Sequence, residues 1–423
     1  MTREESLLAR RQRLMGGAYR LFYGRPLHIV RGEGVWLFDA AGRRYLDAYN
    51  NVPHVGHCHP RVVEAICTQA AALNTHTRYL HEGVLDYAEM LLSRFPPGLE
   101  IAMFTCTGSE ANELALRIAR LATDRPGIIA VENGYHGNTW LTAQISDEEP
   151  GEPREDRIAI VPCPDTFRGT CRGPDAGARY AQAVAQAADR LRERGYPPGA
   201  FIMDTVLSSN GLPDIPADWL PEVVAVVRAA GAVFIADEVQ PGFGRMGGHF
   251  WGFERLGVVP DIVTMGKPMA NGHPAAAVVT SQDLVDGFGA RASYFNTFGG
   301  NPVSCAAARA VLEVLDEERL PENAREVGQY LRAGLEALAE RHAAIGDIRG
   351  SGLFQGVDLV SDRATRAPAG KLAQAVHNGM RDRGVLIGTI GAHDNVLKIR
   401  PPMVFSREHA DLLLACLDEA LAN

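Results

Sequence analysis

The chain of 423 residues is 46% apolar and 22% charged, with a formal net charge of −9. That content can bury one large core and a smaller one, so two domains are expected, and scattered basic residues in an acidic chain argue against a nucleic-acid partner. Seven cysteines, odd in number and with no CxxC pair, indicate neither a disulfide framework nor a zinc ribbon. No apolar run reaches membrane-spanning length, and the start, MTREESLLARRQRLMGG, carries charges where a signal peptide needs its apolar region. A cytoplasmic protein with no membrane partner is expected.

In chain order, residues 1–25 read as a polar helix followed by an arm, and PLHIVRGEGVWLFDAAGRRYLDA reads as an antiparallel meander with turns at Gly32, Gly34 and Gly42. His54, His57 and His59, with Cys58, invite a metal reading. Three histidines within six residues of a loop do not present one tetrahedral face, and no metal is assigned. From Pro60 to Leu92 the periodicity is helical, and from about residue 101 strands and helices alternate, which points to a mainly parallel sheet between helices. The run 101–107 ends at TGSEAN, and Ala111, Ala115, Ile118 and Ala122 mark one face of the helix that follows. Thr107, Gly108 and Ser109 are thereby placed at a helix N-terminus, a position that suits a phosphate and equally an ordinary serine cap. Further strands are expected at 127–131, before Tyr135 and His136, and at 201–206, near Asp204. Polar loops are expected at 147–157 and 165–177, and 311–423 reads as helices around short strands, packed with the meander.

The stretch 232–274 organises the rest. Two apolar runs, 232–236 and 262–265, each read as a buried strand, one ending at Asp237 and Glu238 and the other just before Lys267. At the carboxyl ends of a parallel sheet, carboxylate and lysine would face one crevice. That pair suits pyridoxal phosphate: the lysine holds the cofactor as a Schiff base and the carboxylate keeps its ring nitrogen protonated. A P-loop, a GxGxxG after a strand and a GxSxG elbow are all absent, which removes an ATPase, leaves a nicotinamide dehydrogenase unsupported and weakens a serine hydrolase. A catalytically inactive binding protein would be expected to have lost Asp237 or Lys267.

TGSEAN, YHGN, ADEVQ with GFGR, TMGK and NTFGGNP, in this order, resemble the class III (ω-type) aminotransferases of the fold-type I pyridoxal phosphate family, over essentially the whole chain. The GHxHP turn at Gly56 to Pro60 is part of the likeness. The resemblance implies an α/β large domain at 60–310, with a smaller α+β domain formed by 1–59 and 311–423. It implies that Lys267 is the Schiff-base lysine and proton carrier, with a burial-depressed pKa, and that Asp237 partners the pyridine nitrogen. It places Gln240 near the phenolic oxygen, Val239 and Tyr135 on the two ring faces, and Gly108 and Ser109 on the phosphate. Thr297 would come from the neighbouring subunit of a homodimer with shared active sites.

Within the family, YLDAYNNVPHVGHCHP, NTHTRYLHEG, PDIVTMGKPMANGHP, YFNTFGGNPVSCA and NVLKIRPPM are most similar to the branch of phospho-lyases acting on phosphoethanolamine and phosphohydroxylysine. Many amino-acid transaminases have an arginine where this chain has Lys398, and a gating glutamate where it has Ser209, in the stretch DTVLSSNG that begins at Asp204. Lysine offers a point charge in place of a fork. Arg78, Lys398, Arg400 and Ser209 are the substrate candidates, and each cation is equally readable as a structural one. The expected reaction is transamination of a primary amine, with phosphate and ammonia elimination from an O-phosphorylated amine as the alternative.

Overall fold

The computed structural model describes residues 3–147 and 153–422. Residues 148–152 of the polar loop expected at 147–157, and Met1 and Thr2 of the helix expected within 1–25, lie outside them. The central sheet has seven strands in the order Ile101–Thr105, Ala276–Thr280, Ile262–Met265, Val233–Asp237, Pro198–Asp204, Gly127–Val131 and Ile158–Val161. Only Ala276–Thr280 runs against its neighbours, so the other six strands end at one edge. Val233–Asp237 is buried at every position. That is the pattern of a strand covered on both faces, where apolar residues need not alternate with polar ones.

Alternation instead sorts the apolar residues between two cores. Ile202, Ile235, Ile262 and Val278 pack with Ala111, Leu114, Ala115 and Ile118 of the helix Gly108–Thr123 on one face. Phe201, Met203, Phe234, Val263 and Val279 pack on the other with Trp219, Val223 and Val227 of the helix Trp219–Ala229. Removing a ring such as Phe234, which has no exposed surface, costs about 3–5 kcal/mol at a site of this kind.

The chain ends supply the rest. The meander Ile29–Glu33, Trp36–Asp39, Arg44–Asp47 gains Val385–Leu386 as a parallel edge strand. Ile345–Ser351, Phe354–Asp362, Val396–Ile399 and Gly388–Ile390 form an antiparallel sheet, with Ala367–Pro368 beside the second of them. The helical stretch expected over Pro60 to Leu92 is two helices, Pro60–Ala72 and Glu82–Leu92, parted by non-helical backbone at 73–81. Residue 310, expected to close the large domain, lies inside the helix Pro302–Glu317, which packs on both of them.

The three loop histidines go separate ways. His54 accepts from Arg245 Nη2 at Nδ1 (3.0 Å) and donates from Nε2 to the Phe243 carbonyl (2.8 Å). His57 meets Asp47 at 2.7 Å, and His59 meets Glu318 at 3.1 Å. The fully buried Arg245 also donates to the carbonyls of Leu353 (3.1 Å) and Pro401 (2.6 Å). With Met403 N on the His54 carbonyl and Arg400 N on the Ala48 carbonyl, it fixes the segment that follows Val396–Ile399.

Candidate active site

One cavity opens at the carboxyl edge of the central sheet, and Gly108, Ser109, Asp237, Val239, Gln240 and Lys267 border it together with Tyr135. One end of it is the first turn of the helix Gly108–Thr123. Thr107 caps that turn: its Oγ1 accepts from Glu110 N (3.1 Å), and Glu110 Oε2 accepts in return from Thr107 N (3.0 Å) and Cys106 N (2.8 Å). Gly108 and Ser109 occupy the next two positions, whose N–H groups have no intrahelical acceptor by geometry. A Cβ on Gly108 would stand 2.9 Å from Val239 Cγ2, so only glycine lets the valine close over the turn. Gly137 has φ +135°, and a Cβ there would meet Ser109 Oγ at 2.6 Å.

At the other end stands Asp237, 4% exposed. Its Oδ2 accepts from Asn112 Nδ2 and His136 Nδ1, both at 2.8 Å, and its Oδ1 accepts from Val239 N at 3.1 Å. Asn112 is itself oriented, since its Oδ1 accepts from Thr264 Oγ1 at 2.6 Å. Neither His136 nor Asn112 was assigned a role from the sequence. Asn112 had a usable signal, being a polar residue on the helix face otherwise marked by Ala111, Ala115 and Ile118. Lys267 follows the strand Ile262–Met265, and Gly266 beside it passes so close that a Cβ would lie 3.3 Å from Gly108 N.

Behind the cavity wall at Gln240 stand two cations that do not themselves border the cavity. Gln240 Oε1 accepts from Lys398 Nζ at 3.2 Å and from Arg400 Nη1, and both cations are buried. Arg400 also donates to the Tyr49 carbonyl (3.3 Å), and its guanidinium carbon lies 5.3 Å from the Tyr49 ring and 5.4 Å from the Phe354 ring. Burial pushes the Arg400 guanidinium below its ordinary range. Asp204 borders the cavity in register with Asp237 on the neighbouring strand. Burial, then the charge of Asp237, raises its carboxyl, while Val206 N (2.9 Å), Ser208 N (3.1 Å) and Ser208 Oγ donate to it.

Other candidates stand apart. Ser209 is buried, accepts through its carbonyl from Gly391 N (3.1 Å) and does not border the cavity. Arg78 is exposed, its guanidinium 3.9 Å over the Phe295 ring, beside a second cavity bounded by Thr77, Tyr79 and Phe295. Thr297 is exposed on the same face. Within a single chain, neither reaches the first cavity.

Comparison with known proteins settles the family. The aminotransferase class-III family model matches residues 23–421. The chain belongs to the class-III aminotransferases. It is an α/β enzyme of fold-type I whose cofactor is pyridoxal 5'-phosphate. It is 44% identical to "Alanine--glyoxylate aminotransferase 2-like" of Drosophila melanogaster, covering 100% of this chain and 87% of that one. It is 39% identical to "Ethanolamine-phosphate phospho-lyase homolog 1" of Caenorhabditis elegans, over 99% of this chain and 93% of the other. A solved phospholyase from Arthrobacter, in complex with phosphoethanolamine, superposes with a TM-score of 0.95 at 46% identity, over 99% of each chain.

The cavity of this class-III enzyme fits the cofactor. A helix N-terminus with two positions bare of internal acceptors suits its phosphate, the anchored Asp237 suits a protonated ring nitrogen, and the Gly108–Val239 contact leaves a flat wall between them.

Proposed function

We propose that this enzyme eliminates phosphate from a small primary amine that carries it on the carbon beside the amine-bearing one. The observation that carries the reading is the buried pair Lys398 and Arg400, held on Gln240 at the cavity wall. Two positive charges there favour a dianionic group, and with Lys398 in place of an arginine fork and Ser209 in place of a gating glutamate, a carboxylate clamp is less suited. The phosphoethanolamine bound to the Arthrobacter phospholyase is a substrate of this kind.

Pyridoxal phosphate, when bound, supplies the electron sink that acidifies the carbon beside the amine. The chain's residues do the rest. Gly108 and Ser109 hold the cofactor phosphate, Asp237 keeps a proton on the ring nitrogen, and Val239 and Tyr135 flank the ring. Lys267, as the neutral amine, takes the proton from the substrate carbon. The electron pair left behind forms a carbon–carbon double bond as the neighbouring C–O bond breaks and phosphate departs toward Lys398 and Arg400. Addition of water to the resulting enamine then gives ammonia and an aldehyde.

Transamination is the second reading, favoured by the 44% identity to a relative named an aminotransferase. Incubation of the loaded enzyme with 2-aminoethyl phosphate and no keto acid separates the two. Elimination releases phosphate and ammonia over many turnovers. Conversion of one equivalent of cofactor to its amine form, with no phosphate released, sinks it and supports transamination.

Two copies are proposed to share their active sites, with Thr297 of one reaching the cofactor phosphate held by the other. All seven cysteines are free, which fits the reducing cytoplasm, where we place the protein. Among the described residues no helix is long and apolar enough to cross a membrane.

A further inference from the structure

The amide of Gln240 has an orientation that its surroundings dictate. Lys398 Nζ and Arg400 Nη1 both approach one atom of it, and neither cation can accept a hydrogen bond, so that atom is the oxygen. The amide nitrogen is left as the donor of a side chain that also borders the cavity with Asp237 and Lys267. A neutral amide oxygen is a weak acceptor for a donor from each of two buried cations, even with the Tyr49 carbonyl taking a second donor of Arg400. Arg400 is further neighboured by the fully buried cation Arg245, whose two terminal nitrogens donate to carbonyls and to His54. A carboxylate within reach, Asp204, is turned instead onto Val206 and Ser208. The subsite is therefore charged, buried and occupied by an acceptor that a phosphate outbids, because each N–H···O contact to an anion is about twice as strong as one to a neutral oxygen.

We propose that Gln240 is the resident acceptor of the substrate's anion subsite: its amide oxygen holds Lys398 and Arg400 in the resting chain, and an arriving phosphate takes both donors from it. This rests on the elimination reading for the identity of the anion. The released amide stays in the cavity wall, where a change in its hydrogen bonding alters the surroundings of the bound cofactor before any proton moves. Binding of the anion is thus reported at the cofactor through one side chain.

The probe is inorganic phosphate added to the cofactor-loaded protein, whose own phosphate position is filled, followed by calorimetry and by the cofactor absorption band. Wild type is expected to bind one phosphate per chain with a saturable band shift. Gln240→Ala, which removes the competitor, is expected to bind phosphate at least threefold more tightly with the shift lost. Gln240→Glu, close in shape to the native residue and a stronger competitor, is expected to bind at least tenfold more weakly. Lys398→Met is expected to lose binding tenfold or more while keeping the cofactor. Equal or weaker binding by Gln240→Ala, or unchanged binding by Gln240→Glu, overturns the proposal. Phosphate binding with these opposite responses but no elimination from 2-aminoethyl phosphate leaves this inference standing and refutes the reaction. Elimination without the opposite responses does the reverse.

Discussion

Asp237 and Glu238 are adjacent acids that strand pattern alone leaves equivalent, and backbone alternation gives them opposite fates. Asp237 enters the cavity on Asn112 and His136, while Glu238 turns into the interior, where Oε1 accepts from Thr205 Oγ1 (2.7 Å) and Phe253 N (2.8 Å) and Oε2 from Gly252 N (2.8 Å). Lys267 and Asp237 were legible because their flanking motifs are dense. Asn112 and His136 were not, since their roles depend on contacts across 125 and 101 positions of chain. Burial, the largest influence, raises the Glu238 carboxyl from 4.5 to about 7, against the lowering effect of its three donors. A carboxyl raised on folding binds its proton more tightly in the native state, so its contribution to stability is full below pH 4.5 and is lost as pH climbs through about 7. The rise corresponds to at most about 3 kcal/mol. In Glu238→Gln the amide cannot ionise but cannot accept from all three donors, at a cost of about 1–3 kcal/mol. The variant is expected to be less stable than wild type at pH 5 and to close that gap, or reverse it, by pH 8. Urea midpoints measured across this range check it, and parallel curves for the two proteins mean that Glu238 does not titrate there.

At the scale of elements, the helix Gly108–Thr123 joins sequence pattern to site. Its apolar face was readable from spacing, and its N-terminus from TGSEAN, although the cap is Thr107 rather than the serine. The break at 73–81 was missed because helical periodicity resumes in phase at Glu82. The cluster Asn74, Thr75, His76, Thr77 was the available signal against a continuous helix. The Thr107 cap is expected to matter twice. Thr107→Ala leaves Glu110 N without its acceptor and is expected to cost about 1 kcal/mol of stability. The loosened first turn should also bind pyridoxal phosphate several-fold more weakly, with Thr107→Ser restoring both. Denaturation of the cofactor-free protein and a cofactor titration by absorbance measure the two effects. A Thr107→Ala protein that is destabilised yet binds cofactor as tightly as wild type removes the first turn from the phosphate site.

At the scale of the whole molecule, packing of the chain ends was foreseeable in outline, because two α+β fragments flank one α/β body. That Val385–Leu386 extends the meander was not, since two residues carry no period and their partners lie more than 300 positions away. The outer surface bears on the site as well. Leu80 is 99% exposed and Phe298 70%, with Tyr79, Leu85 and Phe295 exposed nearby around the second cavity. Contiguous apolar surface of this kind is a liability unless covered, and Thr297 lies within it, remote from its own chain's cofactor site. A second copy of the chain is the occupant we propose, since it would answer both facts. Leu80→Glu with Phe298→Glu is expected to place charge in that interface and give a folded monomer by sedimentation, with pyridoxal phosphate bound at least tenfold more weakly. Thr297→Ala is expected to stay dimeric and weaken the cofactor several-fold. Because every contact of Gly108, Ser109 and Asp237 is intact in the double variant, loss of affinity there isolates what the partner contributes. A folded monomer that holds the cofactor as tightly as wild type shows that each chain completes its own site and that the exposed face serves another purpose.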